Sequence, residues 1–178
     1  MKVAQSQPLL KNLPANKMPE LRAIVNDLIT HVTGTPAVEI MNSTPPGFVI
    51  PKEHLISVCH QLHQHSGTYF DMLSNVTGVD HGPETGTMEV LYHLYSIPFH
   101  ASIVLKVILP REGGEIESLV PIWKSANWLE REVFDMFGIR FINHPDLRRI
   151  LMPADWIGFP LRKDYHHEET YRGIKIDY

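Results

Sequence analysis

The sequence predicts an α+β domain with a mostly antiparallel sheet, helices on one face of the sheet, and an extended C-terminal arm. Apolar residues recur at helical spacing near the N-terminus, alternate with polar residues in the middle of the chain, and lose their periodicity towards its end. We therefore divide the 178 residues into a flexible leader, 1–17, an α+β domain, 18–142, and an extended partner-binding arm, 143–178.

Two amphipathic helices are predicted ahead of the main strands. Between Pro19 and Gly34 the apolar residues fall at i, i+3, i+4 and i+7, with the proline in the first turn and the glycine as the stop. A second apolar stripe begins near Pro51, includes Cys59 and ends before Gly67. Each helix therefore has one face for the domain core, and Cys59 is interpreted as a small core residue.

The middle of the chain predicts an antiparallel meander of three strands. Segments 70–79, 88–94 and 101–109 are strand-like, the last two alternate in polarity, and turns rich in glycine or proline separate them. Two shorter strands, 38–40 and 48–50, precede this meander around a Pro-Pro-Gly turn. Strands of this kind, preceded by two helices, predict helices that pack on one face of the sheet.

Charge and cysteine content exclude several classes of protein. The net charge is −4 and the basic residues are scattered, so we expect no nucleic-acid partner. No segment approaches the roughly 18 apolar residues of a membrane span, so we expect membrane association only through partners. The single cysteine, Cys59, cannot supply the thiolates of an iron–sulfur cluster or a Cys-type zinc site. We therefore expect no iron–sulfur cluster and no Cys-type zinc site in this chain, and we expect it to work in the reducing cytoplasm.

The eleven histidines raise the hypothesis of a metal site. His60, His63 and His65 cluster at the end of the second predicted helix, and segment 166–169 reads His-His-Glu-Glu. Neither group has a spacing that brings its side chains onto one ion. We interpret the first group as a solvated helix end, where protonated histidine is favourable, and the second as a polar surface.

A helix predicted over 126–137, with the following glycine as its stop, carries the most informative charges. Arg131 and Asp135 lie four residues apart on its predicted solvent side, where they can form an ion pair. Glu130 and Glu132 instead flank the apolar arc of the helix. They are therefore expected to be partly buried.

Arg148 and Arg149 are the predicted partners of these two carboxylates. A partly buried carboxylate is costly unless it is paired or hydrogen-bonded, and both arginines follow the helix closely in sequence. We expect the arginines to be held by Glu130, by Glu132 or by acidic residues of a partner. In a second interpretation Glu130 closes a capping box with Asn127 as the N-cap, which leaves Glu132 unexplained.

The charged residues of this helix and of the segment after it resemble the signature of the 30 kDa subunit family of complex I, the respiratory NADH–quinone oxidoreductase. The matching residues are Glu130, Arg131, Glu132, Asp135, His144 and Arg148. Segments 149–153 and 158–165 are also similar to the C-terminal part of that family. The resemblance covers residues 36–165, with the looser match in the N-terminal half.

The resemblance implies a hydrophilic subunit of the peripheral arm of a proton-translocating NADH:quinone oxidoreductase. Members of this family lie beside the D-type subunit, which holds the quinone site, and beside the cluster-bearing B- and I-type subunits. They bind no flavin, cluster or quinone themselves, so the FMN, iron–sulfur clusters and quinone belong to the parent complex. The implied location is peripheral, on the cytoplasmic face of the bacterial inner membrane. Related subunits in ferredoxin-, F420- and hydrogenase-linked complexes share the signature, and the sequence leaves that choice open.

The predicted arm combines prolines with more large side chains than a disordered tail normally has. We expect it to order on a partner, with apolar side chains in pockets and charged side chains at the rim. Trp156 is the side chain expected in a partner's pocket, whereas Trp128 fits either a core or an interface. The other arm residues predicted at this interface or in its ion pairs are Phe159, Arg162, Lys163 and Tyr165.

A small stand-alone enzyme that uses carboxylates for acid–base chemistry is the competing class of function. Such an enzyme needs reactive groups that converge on a pocket. Glu130 and Asp135 point to different sides of the predicted helix, so they do not converge. The sequence therefore favours an assembly subunit.

Overall fold

The computed structural model describes residues 18–176 of the chain. The predicted leader, 1–17, and the last two residues of the predicted arm lie outside the described residues. The α-helices of the described part are α1 (Met18–Thr33), α2 (Leu55–Gln64) and α3 (Ala126–Phe137). The strands are β1 (Val38–Ile40), β2 (Gly47–Val49), β3 (Met72–Asp80), β4 (Thr87–Ser96), β5 (Ala101–Pro110), β6 (Glu115–Glu117), β7 (Arg140–Ile142), β8 (Thr170–Tyr171) and β9 (Ile174–Lys175).

The main sheet has five strands in the order β1-β2-β5-β4-β3. Strands β3, β4 and β5 form the predicted antiparallel meander, and β1 pairs with β2 in the same antiparallel sense. Strand β2 runs parallel to β5, because the chain passes through α2 and two further strands before it returns beside β2. The fold is the predicted α+β class with a mostly antiparallel sheet.

One face of the sheet forms the core together with the helices. Alternate residues of β4, such as Val90 and Tyr92, are fully buried in the same cluster as Val25 of α1 and Leu62 of α2. The residues between them on β4 are half-buried, as period two requires for a sheet that is covered on one face. Cys59 lies in this core, where burial raises the pKa of its thiol well above the ordinary value and keeps it neutral.

The structure contains two small sheets that were not predicted from the sequence. Strand β6 pairs with β7 in parallel, and β8 with β9 forms a hairpin within the predicted arm. Strands of two or three residues are too short for alternation to be detected. A turn precedes α3, in which the backbone N–H of Trp123 donates to the Leu119 carbonyl at 2.9 Å.

Candidate functional site

Helix α3 lies against the inner face of strand β3 and positions the charged residues of the sequence signature. The ring of Phe137 packs on Gly78, where an added Cβ would come within 2.5 Å of the ring. Gly138 ends the helix with a φ of 78°, a left-handed conformation that favours glycine. The two glycines therefore allow the close approach of helix to strand and the sharp exit of the chain.

Glu130 is fully buried and holds the turn that follows β6. Its carboxylate accepts hydrogen bonds from the Ser118 hydroxyl at 2.6 Å and from the Leu119 N–H at 2.7 Å. Burial raises the pKa of Glu130 to about 7, although these two hydrogen bonds act in the opposite direction. The predicted pairing with an arginine is wrong for Glu130. The capping-box interpretation is also wrong, since Ser125 is the N-cap of α3.

Asp135 is the second buried carboxylate of α3, and it binds the segment that follows β7. Its Oδ2 accepts the consecutive N–H groups of Ile150, Leu151 and Met152 at 3.0, 2.7 and 2.9 Å. Its Oδ1 accepts a charged hydrogen bond from Arg149 at 2.7 Å. Burial alone would raise the pKa of Asp135, but these donors outweigh it and hold the pKa below its ordinary value. Asp135 is therefore an anion enclosed by donors.

Arg131 does not pair with Asp135, and the predicted ion pair on the solvent side of α3 is wrong. Its guanidinium donates to the carbonyls of Arg148 at 3.1 Å and Arg149 at 3.4 Å, and the indole of Trp128 lies 5.3 Å from it. Arg131 is only 8% exposed, because the predicted arm covers this side of the helix. Arg131 therefore binds carbonyl groups of this segment, and Asp135 binds N–H groups of the same segment.

The C-terminal turn of α3 is also completed by the predicted arm. The carbonyls of the last turn of a helix lack partners within the helix. Here the Met136 carbonyl accepts the Leu161 N–H at 3.1 Å, and the Phe137 carbonyl accepts Arg162 Nε at 2.7 Å. The arm thus supplies hydrogen-bond partners to the carbonyl groups at the end of α3 as well as to charged side chains along the helix.

Phe159 lies on this helix end, close to two arginines. Its ring lies against Gly138, where a Cβ would be 2.5 Å away, and the guanidinium groups of Arg149 and Arg162 lie 5.3 and 4.8 Å from the ring centre. Arg149 also donates to the carbonyls of Trp156 and Gly158 at 3.1 and 2.8 Å. Arg149 and Arg162 therefore fix the turn of the arm that carries Phe159.

A third contact between arm and domain lies at the end of β3. The Lys163 N–H and Arg111 Nε donate to the buried carboxylate of Asp80 at 2.8 and 2.9 Å, and Arg111 also pairs with Asp164. Burial raises the pKa of Asp80, but the hydrogen bonds from Arg111, Lys163 and Gly82 lower it to about 2. Lys163 thus acts through its backbone here.

Asp80, Arg111 and Ser118 were not identified from the sequence. Asp80 did leave a signal, since it follows Val76 and Gly78 at alternate, inward-facing positions of a strand. A carboxylate at such a position needs a buried donor. The donor, Arg111, comes 31 residues later in the chain, and no local pattern connects the two.

The remaining predicted residues separate into exposed and half-buried positions. Glu132 is exposed, so its predicted burial and pairing with an arginine are wrong, and Arg148 pairs with the neighbouring Asp146 at 3.0 Å. His144 Nε2 lies 3.0 Å from the Asn127 carbonyl. An exposed pair such as Arg148 with Asp146 contributes about 0–1 kcal/mol.

Trp156 packs within the arm itself. Its indole N–H donates to the Tyr165 hydroxyl at 3.0 Å, and its ring centre lies 5.4 Å from that of Tyr171. A partner's pocket for Trp156 stays a prediction, as does the division of the chain at residue 143. The exposed tryptophan is instead Trp128, with 66% of its surface accessible.

Exposed apolar side chains occur on α3 and on the segment bound to it. The members of this group are Trp128, Leu151, Ile157 and Leu161, each more than half exposed. Trp128 lies within α3, and the N–H groups of Leu151 and Leu161 are bound by Asp135 and by the Met136 carbonyl. Within residues 18–176, no helix combines the length and apolarity that crossing a bilayer requires. In the same range, no three His, Cys, Asp or Glu side chains are placed to hold a metal ion together.

Residues 48–171 match the family model described as "Respiratory-chain NADH dehydrogenase, 30 Kd subunit". The chain belongs to this family. It is 46% identical to the C 2 subunit of NADH-quinone oxidoreductase from Rhizobium etli over 118 residues, which are 66% of this chain and 63% of that protein. The match thus spans somewhat less than two thirds of the length of this curated relative.

Two solved structures have the same fold as this family member. The trypsin-resistant fragment (1–134) of Nqo5 aligns with a TM-score of 0.57 and 27% identity, over 71% of this chain and 98% of the fragment. A chain of the membrane-bound sulfane sulfur reductase, an archaeal respiratory membrane complex, aligns with a TM-score of 0.63 and 21% identity, over 83% and 86% of the two chains. The second likeness concerns the fold alone.

The family signature thus has a structural meaning in this chain. Glu130 holds the turn before α3, Arg131 and Asp135 hold the segment after β7, and Arg149 links Asp135 to the turn that carries Phe159. These buried charges bind the chain's own backbone.

Proposed function

We propose that the chain is a cofactor-free scaffold subunit in the peripheral arm of a proton-translocating NADH:quinone oxidoreductase, where it supports electron transfer from NADH to quinone. The observation that carries the proposal is the use of the buried signature charges. Glu130 accepts hydrogen bonds from the turn that follows β6, whereas Asp135 accepts them from Arg149 and from the backbone of residues 150–152. An active site needs groups that converge on a substrate, so this arrangement favours a structural role.

The partners proposed for this scaffold are the D-type subunit with the quinone site and the cluster-bearing B- and I-type subunits of the same complex. FMN, iron–sulfur clusters and quinone are proposed to be held by those and other subunits. The proposed location is peripheral, on the cytoplasmic face of the bacterial inner membrane. The proposal is supported by the exposed apolar group of Trp128, Leu151, Ile157 and Leu161, because exposed apolar patches mark interaction sites and tryptophan is enriched among the side chains that contribute most to binding.

Ferredoxin-, F420- and hydrogenase-linked complexes are the alternative parents. The fold likeness to a chain of an archaeal respiratory membrane complex shows that this fold also occurs outside the NADH-quinone oxidoreductases. Affinity purification of the intact complex, followed by identification of its electron-input subunits, discriminates between them. A flavin-bearing, NADH-oxidising module supports the proposal, and a ferredoxin- or hydrogen-reactive module in its place contradicts it.

The purified chain is expected to be colourless and redox-inert. Its one cysteine is buried and protonated, and the buried carboxylate of Asp135 is already paired with Arg149. Visible absorption spectroscopy and elemental analysis of the folded chain provide the measurement. A reproducible flavin spectrum, or iron at one equivalent or more per chain, would contradict the scaffold role.

Replacing Trp128 by alanine is expected to reduce incorporation of the chain into the complex at least about tenfold, because truncating a central interface tryptophan typically costs about 2 kcal/mol or more. The isolated domain should melt as before, since the indole contacts the solvent over most of its surface. Met41→Ala, a change at an 85% exposed residue between β1 and β2, is the matched control. Equal incorporation of both variants would show that Trp128 does not lie at an interface.

A further inference from the structure

Strand β3 is an edge strand whose middle is open. It is the last strand of the five-stranded sheet, and no other strand within the described residues pairs with its outer side. Other residues of the chain contact both ends of this strand. The Ser125 hydroxyl donates to the Leu73 carbonyl at 3.0 Å, and Asp80 accepts the Lys163 N–H. The backbone of residues 74–79 lies between these two contacts.

This edge lacks the usual protection against pairing with another chain. Edge strands are commonly blocked by proline, by lysine or by a covering element. Segment 72–80 contains neither residue type, and its only charged residue, Asp80, is buried and paired with Arg111. A bulge between Leu73 and Asn75 disturbs the beginning of the strand and leaves the remainder regular.

A cleft beside this edge separates β3 from helix α3. Its floor is apolar and is formed by Val76, Gly78, Val133, Met136 and Phe137. Its rim carries Asn75 and Thr77 on the strand side, and Glu132 and Leu161 on the helix side. Glu132 is exposed and has no ion-pair partner among residues 18–176, and Leu161 is 55% exposed.

We propose that the open edge of β3 binds an extended segment of a neighbouring subunit, which adds to the sheet as a sixth strand. The segment places an apolar side chain over the cleft between Met136 and Leu161, and a lysine or arginine beside Glu132. Main-chain hydrogen bonds provide the affinity in this mode of recognition, and pockets for alternate side chains provide the specificity. This inference rests on the proposed function, which supplies neighbouring subunits.

Charge complementarity selects this occupant over a second copy of the chain. Glu132 is the charged residue among those that line the cleft, and it is exposed, so a basic segment is attracted to it. Two copies paired edge to edge would bring a second Glu132 towards the first, and like charges at an interface are unfavourable. A neighbouring subunit with a basic extended segment has no such conflict.

Amide hydrogen exchange resolved by residue, measured on the isolated chain and on the purified intact complex, tests the inference. In the complex, alternate N–H groups within residues 74–79 should exchange at least about tenfold more slowly than in the isolated chain, since only main-chain bonding protects them in this pattern. Glu132→Lys should abolish that protection. Glu53→Lys, at an exposed acid in the 3-10 helix before α2, should leave it unchanged.

The possible outcomes separate this inference from the proposed function. If the chain is present in the complex and the exchange of residues 74–79 is unchanged, strand addition is wrong and the scaffold function stands. If the chain is absent from the complex, the scaffold function itself is wrong. Concentration-dependent protection in the isolated chain, with a dimer by light scattering, overturns the inference in favour of a second copy.

Discussion

Replacement of Asp135 by alanine is expected to lower the free energy of unfolding by about 3–5 kcal/mol, the usual cost of removing one partner of a buried ion pair. The carboxylate is fully buried, whereas its partner Arg149 is 14% exposed and would lose its counter-ion. The N–H groups of Ile150, Leu151 and Met152 would lose their acceptor at the same time. The segment that completes α3 should therefore detach in part from the helix.

Denaturant unfolding of the isolated chain measures this effect, with Asp146→Ala as the matched control. Asp146 also pairs with an arginine, Arg148, but both side chains are more than half exposed, and such pairs contribute about 0–1 kcal/mol. Hydrogen exchange in segment 149–152 should rise in the Asp135 variant and not in the control. A loss of stability that is equal in the two variants would refute the buried contact as the cause.

Replacement of Glu130 by glutamine is expected to remove a large pH dependence of stability. Folding raises the pKa of Glu130 from its ordinary value of 4.5 to about 7 because the group is buried. Between these two values the folded chain binds more protons than the unfolded chain, so the free energy of unfolding falls as the pH rises. The total loss is about 3 kcal/mol, at about 1.4 kcal/mol for each unit of pKa. Below pH 4.5 the contribution is fully present.

The stability of the glutamine variant relative to the parent should therefore increase by about 3 kcal/mol from pH 4.5 to about pH 8. Denaturant unfolding at several pH values measures this difference and cancels the contributions of the other titratable groups. Glu132→Gln is the matched control on the same helix, because it removes an exposed carboxylate instead of a buried one. A stability difference that does not vary with pH would mean that Glu130 titrates as an ordinary carboxyl group.

The elements of the fold could be predicted because their signals are local. The stripe that includes Val25 and Ile29 is buried as its spacing predicts, and Gly34 and Gly138 end α1 and α3 in left-handed conformations. The meander followed from alternation along β4 and β5. The parallel pairing of β6 with β7 could not be predicted, since strands of three residues carry no detectable period.

The sequence predicted that a buried carboxylate pairs with an arginine at this site, but it did not predict which carboxylate forms the pair. The arginine expected near a buried carboxylate is present as Arg149. The carboxylate is Asp135 rather than Glu130 or Glu132. The reason is that the arm covers the face of α3 opposite the sheet. Arg131 and Asp135, which were predicted to face the solvent, are therefore buried.

The sequence by itself determined the fold class and the glycines at which α1 and α3 end. It also determined the family and the residues of the family signature. Each of these depends on the spacing of residues along the chain. The tertiary structure alone decided which charges are buried and what they bind. Glu130 faces a hydroxyl and a backbone N–H instead of a cation, while Asp80 and Arg111 meet across 31 residues. Burial depends on every segment that packs on a site, and a segment such as 148–163 leaves no periodic signal of where it will lie.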